Sequence, residues 1–95
     1  MRRDLSPGLQ AANIIHAAGE SSTGGLPEHV HAVALTTPDE AGLREVWARL
    51  KAKGIKHRAI IECDGAHAGQ IMAIGCAPAP QKEMRRVLSS LPLLK

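Results

Sequence analysis

The chain has 95 residues, enough for one domain (residues 1–95) with a modest core. Its aromatic inventory is one Trp with no Phe or Tyr, so the core must be built from Ala, Ile, Leu, Val and Met. Recognition of bases on aromatic platforms is disfavoured for the same reason. Twelve basic against nine acidic residues leave +3, a mild excess that suits RNA phosphates but also suits many proteins that bind none.

The first predicted element is a helix over residues 7–18. Ser6 is a natural N-cap and Pro7 fits the first helical position, where no backbone donor is needed. At 3.6 residues per turn Gly8, Ala11, Ile14, Ile15 and Ala18 share one face. That face is expected to be buried, its small residues letting a sheet come close. Gln10, Asn13 and His16 fall on the other, exposed side, where Asn13 and His16 stand at i,i+3 spacing and converge on one ligand. Gly19 is expected to end the helix, and residues 19–28 read as a loop.

Residues 30–36 read as a strand with Val33 and Leu35 on one face and Ala32 and Ala34 on the other. Thr37-Pro38-Asp39-Glu40 reads as a capping box, with Thr37 as cap and Glu40 reaching back to it. In the helix that follows, Leu43, Val46, Trp47 and Leu50 form a core-facing stripe, Glu45 and Arg49 an exposed i,i+4 pair, and Gly54 ends it. Two strands are expected near 57–63 and 70–76, joined by Asp64-Gly65-Ala66-His67-Ala68-Gly69. Neither alternates cleanly, which predicts burial on both faces. The last helix, about 80–90, places Met84, Val87, Leu88 and Leu91 on one side and Lys82, Arg85 and Arg86 on the rest, with Pro92 ending it. The order is α-β-α-β-β-α without internal repeat: an α/β domain with a small mixed β-sheet flanked by helices. Cys63 and Cys76 are too few and too far apart for a zinc site or a redox pair and read as buried free thiols. No apolar run approaches the roughly 20 residues of a membrane span. Met-Arg-Arg-Asp is followed by no hydrophobic stretch of a secretory signal, so a cytoplasmic location is expected.

Several segments, in order, resemble the type-2 peptidyl-tRNA hydrolases. Arg2-Arg3-Asp4-Leu5 matches their Arg-x-Asp-Leu, and Gly8, Ala11, Ala12, His16 and Ala17 stand in register with their small-residue helix, with Asn13 in place of the usual Gln. Thr37-Pro38-Asp39-Glu40-Ala41-Gly42-Leu43 resembles the family's Pro-Asp-Glu-x-x-Leu helix start. Residues 70–78, Gln-Ile-Met-Ala-Ile-Gly-Cys-Ala-Pro, resemble its last strand, and Leu91-Pro92-Leu93-Leu94-Lys95 the tail of its short members. The family carries a hydrophobic strand just before Arg-x-Asp-Leu, where this chain starts. A three-stranded sheet would expose an edge or leave a slot. Either the start lies upstream, which is the simplest account, or a partner chain completes the sheet, as in a homodimer, or the copy has decayed.

The resemblance implies hydrolysis of the ester between a peptide and the terminal ribose of tRNA, with no metal or organic cofactor. Such chemistry needs an activated water, donors for an oxyanion and positive charge for phosphates. His16 is the candidate base or water-orienter, since imidazoles titrate near neutrality. Asp64, in the Asp64-Gly65 turn, is its candidate acidic partner, with Glu62 as competitor, and Asn13 is the polar donor. Arg2, Arg3, Lys82, Arg85 and Arg86 are the candidate tRNA contacts. The bland readings are an exposed helix His, turn chemistry at Asp64-Gly65, a loop-capping Asn and a solvated basic helix face. A metal held by His29 and His31 with His57 or His67 lacks supporting carboxylate or Cys spacing. Leu9 stands where many members carry Lys, and Ile71 where a Thr often begins the last strand. An alternative follows: a catalytically reduced member that binds RNA or protein. Residues 30–90 alone also read as most of a split βαβ sensor or dimerisation module.

Overall fold

The computed structural model describes residues 1–22 and 32–94. Helix α1 spans Pro7–Ser21, α2 Glu40–Ala52, strand β1 His57–Ile61, a short 3-10 turn Gly65–His67, strand β2 Ile71–Cys76 and α3 Gln81–Leu88. The result is an α/β domain in the expected order. His29, His31 and most of the 19–28 loop lie outside the described residues.

Strands β1 and β2 pair antiparallel from His57↔Cys76 to Ile61↔Ile71, with an irregularity between Ile60 and Ile61. Gly65 and Gly69 both take positive φ in the connection (76° and 80°), backbone that β-carbon-bearing residues avoid. Strand β2 is buried over Ile71, Met72 and Ala73, as expected, whereas β1 alternates between half-buried and exposed. Burial on both faces holds only for β2, because nothing pairs with the outer side of β1 among the described residues.

Ahead of α2, the segment around Leu35 joins both chain ends without forming a long ladder. The Arg3 amide donates to Thr37 O at 2.8 Å and the Thr37 amide to Met1 O at 3.0 Å, a parallel pairing centred on Arg2↔Thr37. On its other side, the Thr36 amide donates to Pro92 O and the Leu94 amide to Ala34 O, around an antiparallel Leu35↔Leu93 bridge. The expected 30–36 strand is therefore, over its described part, an extended strap between residues 1–3 and 92–94. This also moves the α2 cap. The Thr37 backbone is spent on the strap, so Asp39 is the N-cap, its side chain accepting from the Gly42 amide.

Helix α1 lies on the face of β2 that carries Ala73 and Gly75, and α2 and α3 lie on the face that carries Ile74 and Cys76. Leu43, Val46 and Leu50 of α2 are buried, the last two in one cluster with Val87 of α3, as the apolar stripes predict. The expected Glu45–Arg49 pair does not form. The i,i+4 ion pair of α2 is Glu40–Arg44 at 3.2 Å, since Glu40 is held nearby by the Ile71 amide.

The orientation of α1 is the main correction. Its buried residues are Asn13, Ala17 and Ser21, Ile14 is half-buried, and Ile15 is 72% exposed. The helix runs to Ser21 rather than ending at Gly19. What selects this face is backbone proximity: a β-carbon at Gly75 would sit 2.1 Å from the Ala17 carbonyl oxygen. Small residues do bring helix and sheet together, but at Ala17 and Gly75 rather than at Gly8, Ala11 and Ala18.

Candidate active site

Arg2 sits on the bridge to Thr37 and Asp4 in the turn that follows it, and this turn brings the two side chains together. The Arg2 guanidinium grips the Asp4 carboxylate through Nε at 3.0 Å and Nη2 at 2.7 Å, the fork geometry of a strong charge-assisted pair. Arg2 is 4% exposed. Its remaining nitrogen, Nη1, donates to Gln70 Oε1 at 2.7 Å and to the Ile71 carbonyl at 3.2 Å. The hydrogen bond from Arg2 and its charge hold the Asp4 carboxyl below the usual carboxylate range, with a smaller contribution from His67.

Gln70 passes this arrangement on to His67. Because guanidinium nitrogens only donate, the Gln70 atom facing Arg2 must be its oxygen. That same oxygen lies 3.1 Å from His67 Nδ1, so Nδ1 carries the hydrogen and donates. In the neutral ring Nε2 is then left as the acceptor. The 3-10 turn Gly65–His67 carries this imidazole, half-buried, just ahead of β2. Asp64 stands three residues before it, exposed, and its side chain makes no cap hydrogen bond. Behind β2, Glu40 Oε2 accepts from the Ile71 amide at 2.9 Å and pairs with Arg44. The start of β2 is thus the meeting point of Arg2, Asp4, His67, Gln70 and Glu40.

The sequence-predicted residues divide sharply. Asn13 is buried, and its side-chain amide donates to the Leu9 carbonyl one turn back, so it is no exposed donor and does not converge with His16. Arg2 is no phosphate contact, because every nitrogen of its guanidinium is committed inside the domain. His16 is exposed on α1 and makes no hydrogen bond or ion pair among the described residues. Glu62 is half-buried, its carboxylate accepting from the Cys63 amide. Arg3, Lys82, Arg85 and Arg86 are exposed. Cys63 is exposed rather than buried, since it lies past the end of β1, while burial pushes the half-buried Cys76 thiol up. Sequence reasoning missed the Asp4–Arg2–Gln70–His67 relay. Its signals were present: Arg-x-Asp spacing ahead of the first helix, and a His and a Gln flanking a Gly turn at a strand start.

The model of one family, Peptidyl-tRNA hydrolase PTH2, matches residues 26–94. The chain belongs to this family. No curated protein matches the chain closely enough to count as a relative. The matched span contains His67, Gln70 and β2, the α2 start and the Leu-Pro-Leu tail, but not α1. No described helix is long and apolar enough to cross a membrane.

Proposed function

We propose that this chain hydrolyses the ester joining a peptide, or an N-blocked amino acid, to the 3′ ribose of tRNA, returning the tRNA for reuse. Family membership supports the substrate class. The observation that carries the site is the His67 imidazole, its Nδ1 hydrogen held on Gln70 and its Nε2 left free. A base that is oriented by a partner, itself fixed by a further group, is the arrangement that general-base chemistry needs.

In this reading water is polarised by His67 Nε2, which takes its proton as the oxygen adds to the ester carbonyl carbon. The tetrahedral intermediate then expels the ribose oxygen, and the imidazolium returns the proton to it. Asp64, exposed three residues before His67, is the acidic partner in this reading. Arg3, exposed on the segment that carries the relay, and Lys82, Arg85 and Arg86 on α3 are tRNA contacts. The resemblance assigns the base to His16 instead, and the two imidazoles are separable by experiment. Peptide release from an N-blocked aminoacyl-tRNA is measured for wild type, His67→Ala and His16→Ala, each shown folded by circular dichroism. The proposal expects loss with His67→Ala and retention with His16→Ala; the reverse result hands the base to His16.

A second reading has specific support. Ile71 is fully buried and carries no hydroxyl, and Leu9 is 39% exposed without a charge, so neither replacement supplies what the family resemblance leads one to expect. A reduced member would bind tRNA without turnover in the same assay.

A further inference from the structure

We propose that the cleft between the α2–β1 turn and α3 is a nucleic-acid backbone site, seating the phosphates of a double-helical arm of tRNA. The inference rests on the tRNA reading above and gives it a location. It starts from a segregation that the net charge conceals. Residues 49–58 and 82–86 hold eight of the twelve Lys and Arg residues but only one of the nine Asp and Glu. The rest of the chain is correspondingly acidic.

The fold turns these two distant segments into facing walls. A cleft of about 720 Å³ is lined by Lys53 and Lys56 from one side and Arg86 from the other. Gly54, Ala77 and Ala79 add small surfaces, which leave room for a backbone to come close. Glu83 is the one carboxylate on the lining. None of the eight cations pairs with a carboxylate: the ion pairs among the described residues are Arg2–Asp4 and Arg44–Glu40, both elsewhere. Of the eight, Lys51 is already engaged, its ammonium 3.8 Å from the centre of the Trp47 ring. Three of the eight, Lys53, Lys56 and Arg86, line this cleft with a single carboxylate among them; such like charges repel one another, and a polyanion relieves that repulsion while releasing its own counterions.

The chemistry of the lining selects among nucleic acids. No aromatic ring lines the cleft, so single-stranded bases have no platform to stack on. Phosphate contacts position a partner without reading its sequence. The site therefore suits the regular phosphate rows of a duplex better than an unstacked end.

The test measures binding of the full chain to deacylated tRNA, to an RNA hairpin stem and to an unstructured single strand of equal length, over a range of salt. Lys53→Gln, Lys56→Gln and Arg86→Gln are combined, and a second variant carries Lys53→Arg, Lys56→Arg and Arg86→Lys. Lys56→Gln alone is made as well, so that the result does not depend on one variant folding. The stem is expected to bind about as well as tRNA and better than the single strand. Neutralising the three cations should cost at least about tenfold in affinity and flatten the log–log salt slope by about two to three, roughly one per lost phosphate contact. Lys56→Gln should flatten it by about one, and the charge-keeping variant should restore both. In the peptide-release assay the neutralised protein should show a raised KM with kcat retained. Unchanged affinity and slope in the neutralised variant, preference for the single strand, or absence of RNA binding by wild type would each overturn the proposal. Salt-dependent binding through the cleft without turnover sustains it and removes the hydrolase reading. Turnover with an unaltered KM in the neutralised variant does the opposite.

Discussion

Replacing Arg2 by Met keeps the length of a buried side chain while deleting the guanidinium at the centre of the relay. Five hydrogen bonds disappear, two to Asp4, one to Gln70 Oε1, one to the Ile71 carbonyl and a long, weak one to Met72 Sδ. They do not count equally. The Asp4 side chain is 39% exposed, so it returns to water, and its share is discounted toward the ~0–1 kcal/mol of a surface pair. Gln70 Oε1 keeps the His67 donor. The Ile71 carbonyl loses a buried donor, worth about 1–3 kcal/mol, and the added apolar contact of Met offsets part of that. The net loss should be about 2 kcal/mol, below the roughly 3–5 kcal/mol of breaking a fully buried pair. For a domain this size that is a fall in Tm of about 8–16 °C. Urea unfolding followed by Trp47 fluorescence measures it. The pH dependence is a second check. The folded Asp4 carboxyl lies below its ordinary value because of Arg2, so the stability it contributes is present above the ordinary value of about 4 and is lost as pH falls through the folded one. The gap between wild type and Arg2→Met should therefore narrow below about pH 4. A loss under about 0.5 kcal/mol at pH 7, within the range of an ordinary surface substitution, or a gap that does not change with pH, would refute the reasoning.

Gly75→Ala should destabilise by about 3 kcal/mol, the upper part of the overpacking range, because its β-carbon meets the Ala17 carbonyl at 2.1 Å; Gly8→Ala, with nothing within 4 Å, should not, and paired urea curves compare them. Gln70→Leu removes the acceptor that fixes the His67 ring and should lower kcat about tenfold with KM little changed, while Gln70→Glu, which keeps an acceptor, should retain most of it. Iodoacetamide followed by mass spectrometry should modify exposed Cys63 well before Cys76, whose burial raises its pKa; equal rates would show that the end of β2 opens freely.

The apolar stripes of α2 and α3 were legible because each had one face to bury and a charged remainder. The β1–Gly turn–β2 hairpin was legible from its composition and its two turn glycines. Helix α1 was read backwards for a physical reason. Its two faces differ little in hydrophobicity, so burial was decided by how closely Ala17 could approach Gly75, a contact 58 positions apart that no local pattern encodes. That inversion carried Asn13 from exposed donor to buried residue. Arg2 failed as a phosphate contact for a related reason, since a lone surface-type residue does not announce a buried carboxylate partner and carbonyl. The basic cleft stayed hidden because its walls are separated by more than twenty residues and its charge is cancelled in the net value by acids elsewhere.

The most direct test of the account is single-turnover release of an N-blocked amino acid from tRNA by the wild-type chain and by folded His67→Ala. Turnover by wild type that falls at least about a hundredfold in the variant, the usual scale of a general base, is the predicted result. Equal rates in the two proteins, or no release by a folded wild type, would contradict it.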